Sequence, residues 1–420
     1  MKKIVQINST ANWGSTGTIA ENIGLLARAE GWESVVAYGR KGRPGELPTI
    51  RIGGRGDMYL HGAESRLLDN HGLGSRGATR KFIRELDRLN PDIIHLHNIH
   101  GYYLNYPLLF DFLKRWGGPV VWTLHDCWTF TGHCAYFEAA GCDRWQTGCH
   151  DCPNLRRYPA SFALDRSRRN YDLKRECFSG CPDLTLVPVS EWLGEMVASS
   201  FLGDYPRTVI RNGIDLSVFR PADSASDSDL SVFRPADSAS REDRREGTKG
   251  SHDGKKMLLG VASVWDERKG LGEFIKLRRL LPSEYSIVLV GLTRKQIAGL
   301  PEGIRGISRT ESVRDLVRLY SEADLLVNPT LEDTFPTVNL EALACGTPVV
   351  TYRTGGSPET IDALTGCTVE KRDIDALATT IRNLCAIPLN AADCRARAER
   401  HFDSRQAFAR YIDLYRSHLT

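Results

Sequence analysis

At 420 residues and 41% hydrophobic side chains, the chain can form two or three domains with substantial cores. A formal charge of +3 makes no overall electrostatic case for nucleic acid, which is not expected as a partner. No apolar run reaches the about 20 residues that span a bilayer, and the stretch after Met1-Lys2-Lys3 is too short for a signal segment. Eleven cysteines in so large a chain read as reduced thiols or metal ligands, so the expected place is the cytoplasm.

The chain opens with an apolar strand, Lys3 to Ile7, a glycine-bearing loop through Asn12-Trp13-Gly14-Ser15-Thr16-Gly17, and a helical pattern from Thr18 to Glu30. The loop is not G-x-G-x-x-G, and Tyr38-Gly39-Arg40 stands where a dinucleotide fold would carry an acid, which disfavours a nicotinamide dehydrogenase. Strands follow at Val35 to Tyr38, Ile93 to His97 and Val120 to Leu124, with helices at Ala78 to Leu89 and Pro107 to Trp116. Leu184 to Val189 and Glu191 to Ser199 continue the alternation. Such a sequence of elements implies a parallel sheet covered by helices on both faces.

Three features of this first half carry chemistry. His95, His97 and His100 suggest metal spacing, but alternation places His95 and His97 on one strand face, and a structural role is preferred. His125 ends a strand in Val121-Trp-Thr-Leu-His-Asp126. Cys134, Cys142, Cys149 and Cys152 crowd an insert at 131–155 and match what a closed, structural zinc site requires, with reduced bystander thiols as the alternative. His133 or His150 offers a replacement ligand. Arg156, Arg157, Arg166, Arg168, Arg169, Lys174 and Arg175 then form a basic run, either a solvated face or a patch for anionic lipid headgroups at the inner membrane.

Asp215 to Ser226 is repeated residue for residue as Asp229 to Ser240, too short a unit for a solenoid, so 222–253 is expected to be a solvated duplicated loop. Alternation resumes with strands at Lys256 to Val264, Ser286 to Val290, Asp324 to Asn328 and Val349 to Tyr352, and helices at Gly270 to Leu280, Ser312 to Glu322 and Ile374 to Cys385. Arg395 to Leu419 closes with helical periodicity. The expected organisation is a first doubly wound domain over 1–205, a second over 206–395, and a tail at 396–420, with the cleft between domains as the site.

The stretch from Asn328 to Val350 is the most informative. It reads as a strand end, an acidic turn holding Glu332 and Asp333, and a short helix opening at Pro336. The N–H groups of Thr337 and Val338, at the positive helix end, can hold phosphate, while Asp333 and Glu341 can accept hydrogen bonds from sugar or ribose hydroxyls. That combination suits a nucleotide-sugar.

Asp333 to Glu341 resembles the E-x7-E signature of retaining glycosyltransferases of family 4, with Asp in place of the first Glu; Glu-Asp-Thr-Phe-Pro-Thr is similar to the colanic-acid-type subgroup. Asn212-Gly-Ile-Asp215 and Lys269 occur in family order. The resemblance implies the GT-B fold of two facing Rossmann-like domains, with the tail crossing back to the first. It implies that Lys269 neutralises the donor pyrophosphate, that Asp333 holds a sugar hydroxyl and Glu341 the ribose, and that His125 lies near the transferred sugar. Gly14 and Gly17 would allow close backbone approach to the donor phosphate. Ser263 replaces the family arginine, with Arg268 as a nearby substitute. The expected function is retaining hexosyl transfer from a UDP- or GDP-sugar to a glycan or lipid-linked acceptor in exopolysaccharide or cell-surface polysaccharide biosynthesis, without a catalytic metal. A nucleotide-sugar epimerase of the same fold and an inactive sugar-nucleotide-binding module are the alternatives.

Overall fold

A computed structural model describes residues 1–222 and 254–419. The second copy of the repeat, Asp229 to Ser240, lies outside the described residues. Among the described residues twelve strands form two sheets. The first contains β1 (Lys3–Asn8), β2 (Glu33–Tyr38), β3 (Thr49–Arg51), β4 (Ile93–Leu96), β5 (Val120–Leu124) and β6 (Leu184–Pro188), in the order β3-β2-β1-β4-β5-β6. The second contains β7 (Lys256–Val261), β8 (Tyr285–Val290), β9 (Ile304–Ile307), β10 (Leu325–Asn328), β11 (Val349–Tyr352) and β12 (Gly366–Val369), in the order β12-β11-β10-β7-β8-β9.

Every pairing in both sheets is parallel, and most of the connections between strands carry the helices that such crossovers use. The two orders are the same doubly wound topology read from opposite edges. Each has its switch point where the chain returns beside its first strand, between β1 and β4 and between β7 and β10, and the loops beyond those strand ends form the natural ligand crevice. Burial explains the continuous apolar runs: β4, β5, β6, β10 and β11 are buried along their whole length.

Several elements differ from their sequence expectation. The first helix runs Gly14–Ala29, starting four residues early, with Gly14 at φ +67° making the turn from the loop. Strands β3, β9 and β12 were not foreseen, and all three occupy sheet edges, where one neighbour is missing and apolar continuity is not needed. Helices Arg55–Leu68 and Ser167–Phe178 were also not foreseen. The tail is two helices, Ala391–His401 and Ser404–Ser417, broken where the Asp403 side chain accepts a hydrogen bond from Arg405 N at 2.9 Å.

The last helix lies on the first sheet's side of the molecule. Phe408, Tyr411, Ile412 and Tyr415 enter the core formed by Ile4, Ile19, Ile23, Trp32 and Ile93. Asn212-Gly-Ile-Asp215 makes that crossing possible: Ile214 pairs with the backbone at Asp403, and a Cβ on Gly213 would sit 2.5 Å from Ser404 Cα.

Candidate active site

Two loops of the second domain bring Lys269 and Asp333 together. After β7 the chain turns through Ser263 to Gly270, and Gly270 at φ +79° packs so closely that a Cβ would lie 2.3 Å from Pro329 O. That fixes Lys269 against the turn after β10. Lys269 Nζ and Asp333 Oδ2 form an ion pair at 2.5 Å, both partly exposed. Asp333 is further held by Phe335 N on Oδ1 at 3.3 Å, and its carbonyl accepts from Gly356 N at 3.2 Å. A Cβ on Gly355 would collide with that same carbonyl, so the Gly355-Gly356 turn supports the backbone at Asp333.

The neighbouring residues are already engaged. Glu332 is buried, and its Oε1 accepts from Ala139 N at 2.8 Å. Burial raises its pKa. Glu332 therefore faces the cysteine-bearing insert, leaving Asp333 in the cleft. Arg268 donates to Glu332 O at 3.1 Å and stacks 4.7 Å over the Tyr136 ring. Ser263 is exposed beside the strand end.

Helix Thr337–Ala344 begins after Pro336, and the half-buried Thr337 and Val338 carry N–H groups that its first turn cannot satisfy. Asn328 Nδ2 donates to Asn339 Oδ1, and Asn339 Nδ2 donates to Thr360 Oγ1, each at 2.9 Å, anchoring the helix to the end of β10. Glu341 accepts from Tyr320 OH at 2.7 Å. Burial pushes its carboxyl up to about 7, with the Tyr320 and Thr337 hydroxyls acting in the opposite direction.

From the first domain, His125 directly follows β5 with little exposure. Its carbonyl accepts from Thr334 Oγ1 at 2.7 Å, so the residue beside Asp333 ties the acidic turn to the histidine-bearing strand end. His125 and Asp126 line a small cavity with His97 and His100. Asp126 pairs with His100 Nε2 at 3.0 Å, and its carboxyl is held below the usual range by that imidazole against the opposing effect of burial. Gly14 is exposed at the loop tip, whereas Gly17 is buried against its own loop, where a Cβ would come within 2.7 Å of Thr10 Oγ1.

The insert reaches across the cleft. Glu138 accepts from Gly355 N at 3.0 Å and pairs with Lys371 at 3.4 Å, while Arg157 pairs with Glu267 at 2.9 Å. Sequence reasoning missed Glu138, Tyr136, Thr334 and Tyr320, whose partners are remote in sequence and leave no local pattern.

Cys134, Cys142, Cys149 and Cys152 line one cavity with His133 and His150. They do not form a ligand set: among the described residues, no group of three or more His, Cys, Asp or Glu side chains converges to hold a metal. His133 Nδ1 is 2.6 Å from Asp69, and His150 Nδ1 is 3.1 Å from Asp151. The basic run also divides: Lys174 is buried, Arg157 pairs with the second domain, and Arg166 donates to Asn70 at 3.0 Å.

Comparison with known proteins agrees with this architecture. A model described as Glycosyltransferase Family 4 matches residues 17–218, and one described as Glycosyl transferases group 1 matches 255–386. A colanic acid biosynthesis glycosyl transferase assigned in Escherichia coli (strain K12), WcaC, is 26% identical over 340 residues, 78% of this chain and 76% of that one. Among solved structures, sucrose-phosphate synthase from Thermosynechococcus elongatus superposes with a TM-score of 0.68 at 17% identity, covering 99% of both chains. HepE of Anabaena in complex with UDP-glucose does so at 0.63 and 14% identity, covering 99% of this chain and 100% of that one. The chain belongs to glycosyltransferase family 4 and has the GT-B fold.

Proposed function

We propose that the protein transfers a hexose, with retention, from a UDP- or GDP-sugar to a glycan or lipid-linked acceptor in the biosynthesis of an exopolysaccharide or cell-surface polysaccharide. The observation that carries this reading is the junction of Thr334 and His125, which sets the Lys269–Asp333 pair beside the end of β5. A nucleotide diphosphate entering the cleft competes for Lys269 and frees Asp333 to accept a sugar hydroxyl. Thr337 and Val338 N–H groups receive the phosphates, and Glu341 receives the ribose hydroxyls.

In the transfer step the acceptor oxygen bonds to the anomeric carbon on the face from which the diphosphate leaves. Its proton passes to the departing phosphate oxygen. Lys269 and the helix N–H groups stabilise the negative charge that builds there. The contacts of Glu138, Glu332 and Thr334 between domains keep water from the reacting centre.

A relative assigned to colanic acid biosynthesis and a neighbour in complex with UDP-glucose support the polysaccharide and nucleotide-sugar parts of the reading. Among the described residues no helix is long and apolar enough to cross a membrane. A peripheral place at the inner membrane is supported instead by Tyr59, Leu60, Leu67 and Phe162, which are all exposed. Phe162 N donates to Arg66 O at 2.8 Å, placing its loop beside the helix that carries the other three.

Thermal-shift screening against UDP, GDP, ADP and their hexose conjugates tests the donor. A raised melting temperature with UDP or GDP and their sugars is the expected result. No shift with any nucleotide would overturn the reading. Proton NMR of the first product formed from the identified donor then checks that the anomeric configuration is kept.

A further inference from the structure

We propose that Gln6 and His97 are positioning residues: they fix His125 in its Nε2–H tautomer and so present Nδ1 as a hydrogen-bond acceptor for a hydroxyl of the bound sugar or acceptor. This inference rests on the placement of His125 beside the substrate.

The argument begins at a group that has no choice. Gln6 on β1 is buried, and its side-chain nitrogen lies 2.8 Å from Ala20 O, a backbone carbonyl that can only accept. The amide orientation is therefore set, and Gln6 Oε1 faces the next group as an acceptor. That group is His97 Nε2 at 3.1 Å, which must donate.

His97 is fully buried, and its polar contacts are Gln6 and His125, with the His95 ring packed at 4.0 Å between centroids. Among the described residues no carboxylate is hydrogen-bonded to its ring. A buried imidazole without an anion is neutral, and burial together with His95 and His125 holds its pKa well below the usual value. With its one proton on Nε2, His97 offers a lone pair at Nδ1. That atom is 3.2 Å from His125 Nε2, which must donate in turn.

The two rings lie nearly parallel, with an interplanar angle of 18°. His125 is itself neutral, since burial lowers its pKa to about 4, with Asp126 opposing and His100 reinforcing the shift. Its single proton is then on Nε2, and Nδ1 carries the lone pair. In this state His125 orients a hydroxyl by accepting its hydrogen bond.

The same hydrogen-bond direction would reverse if either proton moved, so the tautomer can be read directly. The full chain labelled with 15N-histidine, with His97 and His125 assigned by single substitutions, should show at pH 7 protonated Nε2 and unprotonated Nδ1 for both residues. An Nδ1–H tautomer or an imidazolium at His125 overturns the proposal, and this measurement needs no substrate.

Kinetics supply a second arm, with hydrolysis or transfer of the UDP- or GDP-hexose found by thermal shift as readout. His97→Leu removes the acceptor for His125 Nε2–H and should lower kcat about 10-fold or more, with a smaller change in donor KM. His97→Asn places an amide oxygen near the position of Nδ1 and should stay within about 3-fold of wild type. Equal losses in the two variants would mark His97 as merely structural and overturn the proposal. Full turnover in His125→Ala would instead remove His125 from the substrate site, a separate failure that leaves the measured tautomers standing.

Discussion

At the residue scale the proposed chemistry turns on a single ion pair. Lys269 and Asp333 hold each other at 2.5 Å, and a donor diphosphate would take over the lysine. Lys269→Ala should lower donor kcat/KM by about 100-fold while the melting temperature changes little, because the side chain is not part of the core. Wild-type kinetics in that variant would remove Lys269 from the site. Glu341 gives a pH prediction. Its folded carboxyl titrates near 7, against 4.5 for an unperturbed glutamate, so the native state retains a proton that the unfolded state has lost. The stability this contributes is complete below 4.5, falls across the interval and is gone above 7. Glu341→Gln should therefore melt higher than wild type at pH 8 but gain much less at pH 5, by up to about 3 kcal/mol between the limits. The same variant should bind donor more weakly, since an amide nitrogen cannot accept from a ribose hydroxyl. Equal gains in melting temperature at both pH values would contradict the burial of this acid.

Two helices that escaped sequence reading share a cause at the scale of the element. Helix Ser167–Phe178 buries Ser167, Asn170, Tyr171, Lys174 and Phe178, a proper helical face made mostly of polar residues. Helix Arg55–Leu68 inverts the usual pattern, burying His61, Gly62 and Ser65 while exposing Tyr59, Leu60 and Leu67. Hydrophobic periodicity cannot report a buried face built mostly of polar side chains. Lys174 illustrates the consequence, since the basic run placed it on a surface and the helical phase puts it inside. Its ammonium donates to Trp128 O at 2.5 Å and Thr131 O at 2.9 Å and lies 3.5 Å from the Trp128 ring centroid. Lys174→Met keeps the volume but leaves two buried carbonyls without this donor, which should cost about 3 kcal/mol. Urea unfolding of the variant checks this, and unchanged stability would mean that water replaces the ammonium.

For the whole molecule, the chain's end completes the core of its beginning. Ile412 and Tyr415 pack with Ile4, Ile23 and Ile93, and Arg416 pairs with Glu30 at 2.7 Å. Ile412→Ala should destabilise the first domain by about 3 kcal/mol. The variant should lower the melting transition of that domain; a loss confined to the second domain would place the helix elsewhere. The cysteine-bearing insert performs the complementary task across the cleft, where Tyr136, Glu138 and Ala139 meet Arg268, Gly355, Lys371 and Glu332. Its contacts are between domains, so spacing within the insert carried no sign of them.

Sequence alone determined the parallel architecture, because apolar strands and helical periodicities follow from stereochemistry over a few residues. It also determined that Asp333 and Glu341 bracket a helix start. Only the tertiary structure decided between the adjacent acids: Glu332 is claimed by a backbone N–H 193 residues away, and Asp333 is left to the cleft. The same reach sets Arg268 against an aromatic ring of the first domain, and long-range packing gathers four closely spaced thiols around one small cavity. Desolvation and hydrogen-bond pairing depend on what the rest of the chain delivers to a point in space, and local order along the chain does not encode that arrival.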